Sequence, residues 1–446
     1  MSSPRKRLRT STTAAAPALP YDLVLEIVAR TDAATLIRCA ACCKPLRREI
    51  LSPGFVRRVC REPAAGGGAA VVPPRLFGFL TCHDDPGSAA IPRRWPPPPA
   101  TFSLAHPATP AAVRLSEKHL APFFLPGGGG ADLLDSSYKH LTSRNGLVVL
   151  RRRCTSVPRR SGICVYDPLT GGDHRRTFVT DPLRTVEEYS GCGLSMSFVL
   201  LTASDDGAIG GAGGLLLKAD FRGLMYRSST IEVQTVSLDA AGRREWSPVT
   251  RATCRRSHRS RLRHPCCSAV VLGSRIHWLM LFSGWWRDHL HVLTYDVATA
   301  TAGSIELPTD RMTECCAADL WLSSTTDARL IIICRCRLKL SVWRLLPADA
   351  GWAPHAVIDT ETALRPLAPE VPRSSPWSPY AWIWFESSWE RNDVLLFSVV
   401  MEDKLIGLFV IDIETRKMHR IDRQIKIEAF PFEVDLESRL AAMNTF

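Results

Sequence analysis

"HVLTYDVATA", residues 291–300, sets an apolar run in front of Asp296 and places Thr299 three positions on. An Asp carboxylate accepts hydrogen bonds from backbone amides just ahead of it, and Thr suits a return strand, so the stretch predicts a β-hairpin turning at Asp296. The same order recurs twice. "ICVYDPLTG", residues 163–171, has Asp167 and Thr170, and "LFVIDIETR", residues 408–416, has Asp412 and Thr415. Degenerate copies stand at "VQTVSLDAAGRREWSPV", 233–249, and "LSVWRLLPADAGWAPHAVI", 340–358. Together the hairpins return roughly every 50 to 70 residues, the length of a four-stranded blade with its loops. The repeat predicts a mainly β chain with a β-propeller-like domain over residues 75–446. Five hairpins are visible, and a further blade is expected within 76–140.

Period-two patterning supports this. In "IIICRCRLKLSVW", 331–343, Ile332, Cys334, Cys336, Leu338, Leu340 and Val342 alternate with Arg335, Arg337, Lys339 and Ser341, which reads as one half-buried strand. "WSPYAWIWFESSW", 377–389, reads as a buried strand with a wet edge, Trp382 and Trp384 alternating with Ile383. "PFEVDLESRLAAM", 431–443, predicts a strand and short helix against the ring.

The chain ahead of this domain has another texture. Residues 1–18 read as a disordered basic tail whose "PRKRLR" also fits a nuclear import signal, and an Arg, Ser and Ala-rich start lacking acids also fits a transit peptide. Residues 19–60 predict short helices. Pro20 suits a first helical position, and Leu23, Val24, Ile27 and Val28 form one stripe behind it. Thr31 or Asp32 caps a second helix with Leu36, Cys39, Ala40 and Cys43 on one face, and Pro45 begins a third that carries Leu46 and Ile50. "REPAAGGGAAVVPP", 61–74, reads as a flexible hinge. A unit of about 40 residues buries too little to stand alone, so the module needs a partner surface.

"LPYDLVLEIVARTDAATLIRCAACCKPLRREILSPGF", residues 19–55, resembles an F-box: Leu19-Pro20, Leu23, Ile27, Leu36, Arg38 and Cys43-Lys44 stand where that motif has its Leu-Pro, its apolar helix positions, its Arg and its Cys-Lys. Leu46 stands where a Trp is frequent. "LTSRNGLVVL", "AVVLGSRIHWL" and "LTYDVATATAGSIELP" are similar to the F-box-associated domains of plant F-box proteins. The resemblance implies a substrate receptor of an SCF-type ubiquitin ligase. The F-box would hold the Skp-type adaptor, and through it a cullin, while the β domain selects a protein target. It implies adaptor contacts from Leu19, Pro20, Leu23, Val24, Ile27, Leu36, Ile37, Cys39, Cys43 and Leu46.

Other classes of function fit the sequence less well. A formal charge of +12 makes nucleic acid a rival partner, but the basic runs "RRRCTSVPRR" and "RATCRRSHRSRLRHP" have no interleaved aromatic residues for base stacking. Cys39-x-x-Cys42 has metal-ligand spacing without a second knuckle, so no metal site is expected, and Cys39 and Cys43 read as packing positions. The 15 cysteines, paired and scattered, read as reduced thiols of a nuclear or cytoplasmic protein. No stretch reaches the length of a membrane span. "GAIGGAGGLLLK", 207–218, lacks the spacing of a phosphate-binding loop and reads as a surface loop. No GxSxG, HExxH or paired-carboxylate motif accompanies the 12 histidines, so neither a catalytic residue nor a cofactor is named and the chain is expected not to be an enzyme. A propeller sensor or lectin-like binding protein, without a ligase role, is the alternative.

Overall fold

The computed structural model describes residues 19–31, 36, 39–40, 42–52, 54–56, 75–82, 101–104, 138–152, 162–166, 177–180, 195–202, 214–225, 228–238, 245–254, 259–263, 269–283, 288–308, 320–325, 327–347, 351–368, 381–388, 393–401, 404–422 and 428–435. The chain divides into two compact units, residues 1–72 and 73–446.

In the larger unit five four-position sheets follow one another along the chain. Blade 1 holds β3 (Tyr138–Arg144), β4 (Leu147–Arg152), β5 (Gly162–Tyr166) and β6 (Thr177–Thr180). Blade 2 holds β7 (Met196–Leu201), β8 (Leu215–Asp220), β9 (Thr230–Ser237) and β10 (Thr250–Thr253). In blade 3 the first position is shared by β11 (Ser260–Leu262) and β12 (Ala269–Leu272), both paired with β13 (Arg275–Ser283), before β14 (Asp288–Asp296) and β15 (Thr301–Glu306). Blade 4 holds β16 (Leu320–Ser324), β17 (Leu330–Cys336), β18 (Lys339–Leu345) and β19 (Trp352–Asp359). Blade 5 holds β20 (Trp382–Ser388), β21 (Val394–Met401), β22 (Lys404–Asp412) and β23 (Met418–Asp422). A three-stranded sheet, β2 (Thr101–Leu104), β1 (Arg75–Cys82) and β24 (Glu428–Asp435), joins the two ends of the unit.

The first strands of successive sheets approach one another: β24 meets β3, β3 meets β7, β7 meets β12, β12 meets β16, and β20 returns to β24. Between blades 4 and 5 the Trp321 and Phe385 rings lie 6.0 Å apart. The ring is therefore closed, and the predicted propeller with its four-stranded blades is what forms. The further blade expected within 76–140 takes two strands from that region and its inner strand from 428–435, with eight residue pairs in register from Arg75 opposite Asp435 to Cys82 opposite Glu428. Phe432 on β24 is fully buried. The strand expected near 431 is β24, and the helix expected after it lies outside the described residues.

All five sequence hairpins join the third strand of a blade to its fourth: β5–β6, β9–β10, β14–β15, β18–β19 and β22–β23. The turn chemistry is the one expected. Asp296 Oδ1 accepts from the backbone N–H of Ala298 and of Thr299, both at 3.0 Å, and Asp412 Oδ1 accepts from the N–H of Thr415 at 2.8 Å. The next residue, Ala300 or Arg416, takes the left-handed conformation (φ 53° and 58°) that swings the chain into the return strand. The turn at Asp167 lies outside the described residues.

Blades pack face to face through aliphatic and aromatic side chains. Between blades 2 and 3 Trp278 is wholly buried, its Nε1–H donates to Ser197 Oγ at 3.1 Å, and its ring meets Phe221 edge-on at 5.3 Å. Central strands covered on both faces read as unbroken apolar runs, as "VLLF" does in β21.

Three expectations need correction. "IIICRCRLKLSVW" is a hairpin and not one strand: Arg337 (φ 55°) turns the chain between β17 and β18. Ile332 and Cys334 consequently pack toward blade 3, and Leu338, Leu340 and Val342 toward blade 5. The basic and apolar residues keep alternating through the turn, which hides it from a periodicity count. "GAIGGAGGLLLK" is no loop at its end, because Leu216, Leu217 and Lys218 lie buried in β8. Lastly, Cys334 is disulfide-bonded, whereas Cys42, Cys43 and Cys336 are free thiols, so the cysteines are not uniformly reduced. Cys266, Cys267, Cys315 and Cys316 lie outside the described residues.

Candidate functional site

The smaller unit contains α1 (Tyr21–Ala29) and α2 (Lys44–Ile50), which touch, with Leu36 and Ala40 fully buried in the same unit. Pro20 fixes an extended entry (φ −52°, ψ 137°), and its carbonyl accepts from Leu23 N–H at 3.0 Å and Val24 N–H at 3.2 Å. At the other end of α1 the Thr31 hydroxyl donates to the Val28 carbonyl at 2.7 Å. Cys43 stands in extended geometry ahead of α2, Pro45 lies in its first turn, and Arg47 Nε reaches back to the Ala40 carbonyl at 2.9 Å. Phe55 is packed inside.

Leu23, Val24, Ile27 and Val28 of α1 separate into two stripes. Val28 is buried and Val24 half-buried, one turn apart on the inward side. Leu23 and Ile27, also one turn apart, are 53% and 54% exposed. Leu19 and Tyr21, at the entry to the helix, are 54% and 43% exposed. Large apolar side chains standing clear of a unit this small mark a candidate contact surface. The rim is polar, with an exposed Glu26–Arg30 ion pair at 2.8 Å. Desolvation, then the charges of Glu49 and Cys43, raise the Tyr21 phenol above its ordinary pKa.

Of the ten residues expected at the adaptor surface, Leu19, Pro20, Leu23, Ile27 and Cys43 are exposed, and Val24 and Cys39 are half-buried. Leu36 and Leu46 are inside the unit, at 0% and 8% exposure, and Ile37 lies outside the described residues. Tyr21 joins the exposed group without having been singled out in the sequence. Its place two positions from Leu19 and from Leu23, around a helix-starting proline, was the available signal.

Among the described residues no three His, Cys, Asp or Glu side chains converge as metal ligands. His289 is exposed with its ring 6.3 Å from that of Phe282, while His291 is buried and held neutral, its pKa lowered to about 4 by desolvation. His277 is buried with Nδ1 3.2 Å from the Val270 carbonyl. Trp384, on the inner strand of blade 5, is 60% exposed while its neighbour Ile383 is fully buried. No helix among the described residues is long and apolar enough to cross a membrane.

Residues 17–58 match the F-box domain model, and residues 106–446, most of the chain, match the model described as Domain of unknown function (DUF7595). This second match is coarser than the F-box-associated domain that the sequence resembles. No curated protein matches the chain. Among solved structures, a protein from Lactobacillus plantarum is 10% identical over 78% of this chain and 81% of its own, with a TM-score of 0.33. A prolyl endopeptidase is 10% identical over 64% of this chain and 34% of its own, with a TM-score of 0.32. A puromycin-hydrolyzing peptidase from Mycobacterium tuberculosis is 10% identical over 67% of this chain and 39% of its own, with a TM-score of 0.31. The chain thus spans well under half the length of these two peptidases.

Proposed function

We propose that this chain, which belongs to the DUF7595 family and carries an F-box domain, is the substrate-recognition subunit of an SCF-type ubiquitin ligase. The observation that carries the reading is the exposed apolar group Leu19, Tyr21, Leu23 and Ile27 in the unit that matches the F-box model. F-box domains generally bind Skp-type adaptors, and an apolar surface with a polar rim suits a lasting contact of that kind. The propeller then holds a protein target and raises its concentration beside a ubiquitin-charged conjugating enzyme. Bond-making chemistry belongs to the other subunits, and the place of action is the nucleus, the cytoplasm or both.

Coexpression with a Skp-type adaptor and a cullin tests this. The adaptor should copurify with the full chain and not with a chain lacking residues 17–58. The shortened chain should retain targets, because they escape ubiquitination. An adaptor that never copurifies sinks the receptor reading and advances the sensor reading in its place.

A further inference from the structure

A cleft of about 580 Å³ opens in blade 2, lined by Asp220, Arg222, Ser228, Thr230, Glu232 and Arg251. It lies at one end of the blade. There β8 finishes at Asp220, α3 (Arg222–Met225) crosses over, β9 starts at Thr230, and β10 finishes at Thr253 opposite it. The Asp296 and Asp412 turns join third strands to fourth, so they lie at the opposite end of the ring. Connections at one end of a propeller, held by rigid strands, are where binding residues collect.

The cleft presents more positive than negative charge to solvent, although its formal charges balance. Asp220 accepts from the backbone N–H and the guanidinium of Arg222, which saturates its carboxylate. In that pair the Arg side chain is 25% exposed and the Asp 6%. In the second pair, Arg251 with Glu232 at 2.9 Å, the Arg is 72% exposed and the Glu 34%. A third arginine is anchored close by through its backbone, because Arg259 N–H donates to the Leu224 carbonyl of α3 at 2.6 Å and Arg259 holds a left-handed backbone (φ 58°). Cys254 N–H is likewise bonded to the Ser229 carbonyl at 2.7 Å, which ties the chain just after β10 to the same connection.

We propose that this cleft binds an acidic segment of the protein target, taking Asp or Glu carboxylates against Arg222, Arg251 and Arg259. The proposal rests on the receptor reading and names its target chemistry. Guanidinium groups pair with carboxylates in planar, bidentate fashion, while the Ser228 hydroxyl is spent on the Gly223 carbonyl at 2.6 Å and stands 2.7 Å from the Thr230 hydroxyl. A nucleic acid fits less well, because no aromatic ring among the described residues lines the cleft for base stacking. Gly223 keeps the floor tight: a Cβ there would stand 2.4 Å from the Thr230 carbonyl oxygen.

The test uses the full chain and a short fluorescein-labelled peptide of alternating Glu and Gly, read by fluorescence polarisation. The variant Arg251→Glu/Arg259→Glu should bind it at least about tenfold more weakly than wild type, and added salt should narrow the difference. Arg329→Glu, on the turn between β16 and β17 at the other end of the ring, should leave peptide affinity unchanged. Adaptor copurification, measured on the same variants, should be unaffected, so a failure here is separable from a failure of the receptor reading. Equal affinity of the double variant and wild type overturns the proposal. So does a single-stranded oligonucleotide of matched charge that binds as tightly as the peptide and weakens in the same variant.

Discussion

Replacing Leu23 and Ile27 together with Asp separates the surface of the helical unit from its interior. Each side chain is about half exposed, and fully burying a Leu or Ile is worth about 1.5–3 kcal/mol. Covering the exposed halves therefore contributes roughly 1 kcal/mol apiece, or about 2 kcal/mol for the pair. At about 1.4 kcal/mol per factor of ten, losing that alone weakens adaptor binding roughly thirtyfold, and an unpaired carboxylate pressed against an apolar partner carries the loss beyond about a hundredfold. Folding should barely change, since exposed substitutions stay within about 0.5 kcal/mol. Leu36→Ala and Ile50→Ala are the contrast: both side chains are fully buried, so each should cost the unit about 2–5 kcal/mol and lose adaptor binding through unfolding. Titration calorimetry against the purified adaptor, with helical circular dichroism as the folding check, reads both quantities. An Asp double variant that keeps its helicity and binds the adaptor at wild-type strength would refute the reasoning.

Trp278→Ala should destabilise the propeller by at least about 4 kcal/mol in urea denaturation, adding a cavity between blades 2 and 3 to a buried Ser197 hydroxyl left without its donor; a loss under about 1 kcal/mol contradicts the packing described. His140 and His291 are buried with pKa values lowered to about 3 and about 4, so the unfolded chain, titrating near 6.5, takes up protons first as the pH falls. Their contribution is complete above about pH 6.5 and falls by roughly 2 kcal/mol for each group by about pH 5, so urea midpoints should drop across that window and the slope should flatten in His140→Phe. Asp412→Ala should cost about 1 kcal/mol by freeing the Thr415 amide, and Asp412→Asn, which keeps an acceptor oxygen, should recover most of it; equal losses in both would show that the turn bond does not matter.

The propeller was legible because its outer hairpins repeat a local device. Asp296 and Asp412 do their work within four residues, so a single sequence carries the signal. Ring closure left no such trace, since β1 and β24 come from opposite ends of the larger unit and pairing across that separation has no local pattern. At Arg337 the period of two ran straight through a turn, and only the left-handed backbone reveals the reversal. In the helical unit the residues were found but their sides were not. A short helix apolar on two sides offers Val24 and Val28 or Leu23 and Ile27 equally well to the interior, and the choice depends on where Leu36, Leu46 and Ile50 pack. The blade 2 cleft is assembled from Asp220, Glu232 and Arg251, which a strand register brings together from three separate segments.

The two surfaces differ in the physics they use, and on the receptor reading that difference has a purpose. The contact proposed for α1 is apolar, so its strength follows buried area and is nearly indifferent to salt. The contact proposed for blade 2 is made by partly exposed guanidinium groups, which steer an oppositely charged segment inward and release it readily when the ionic strength rises or its charges are lost. A subunit that must stay on its ligase while exchanging one target for the next needs a slow dissociation rate at the first surface and a fast one at the second. Burying Leu23 and Ile27 supplies the slow rate, and Arg222, Arg251 and Arg259 supply the fast one, so salt should strip targets from the complex well before it strips the adaptor.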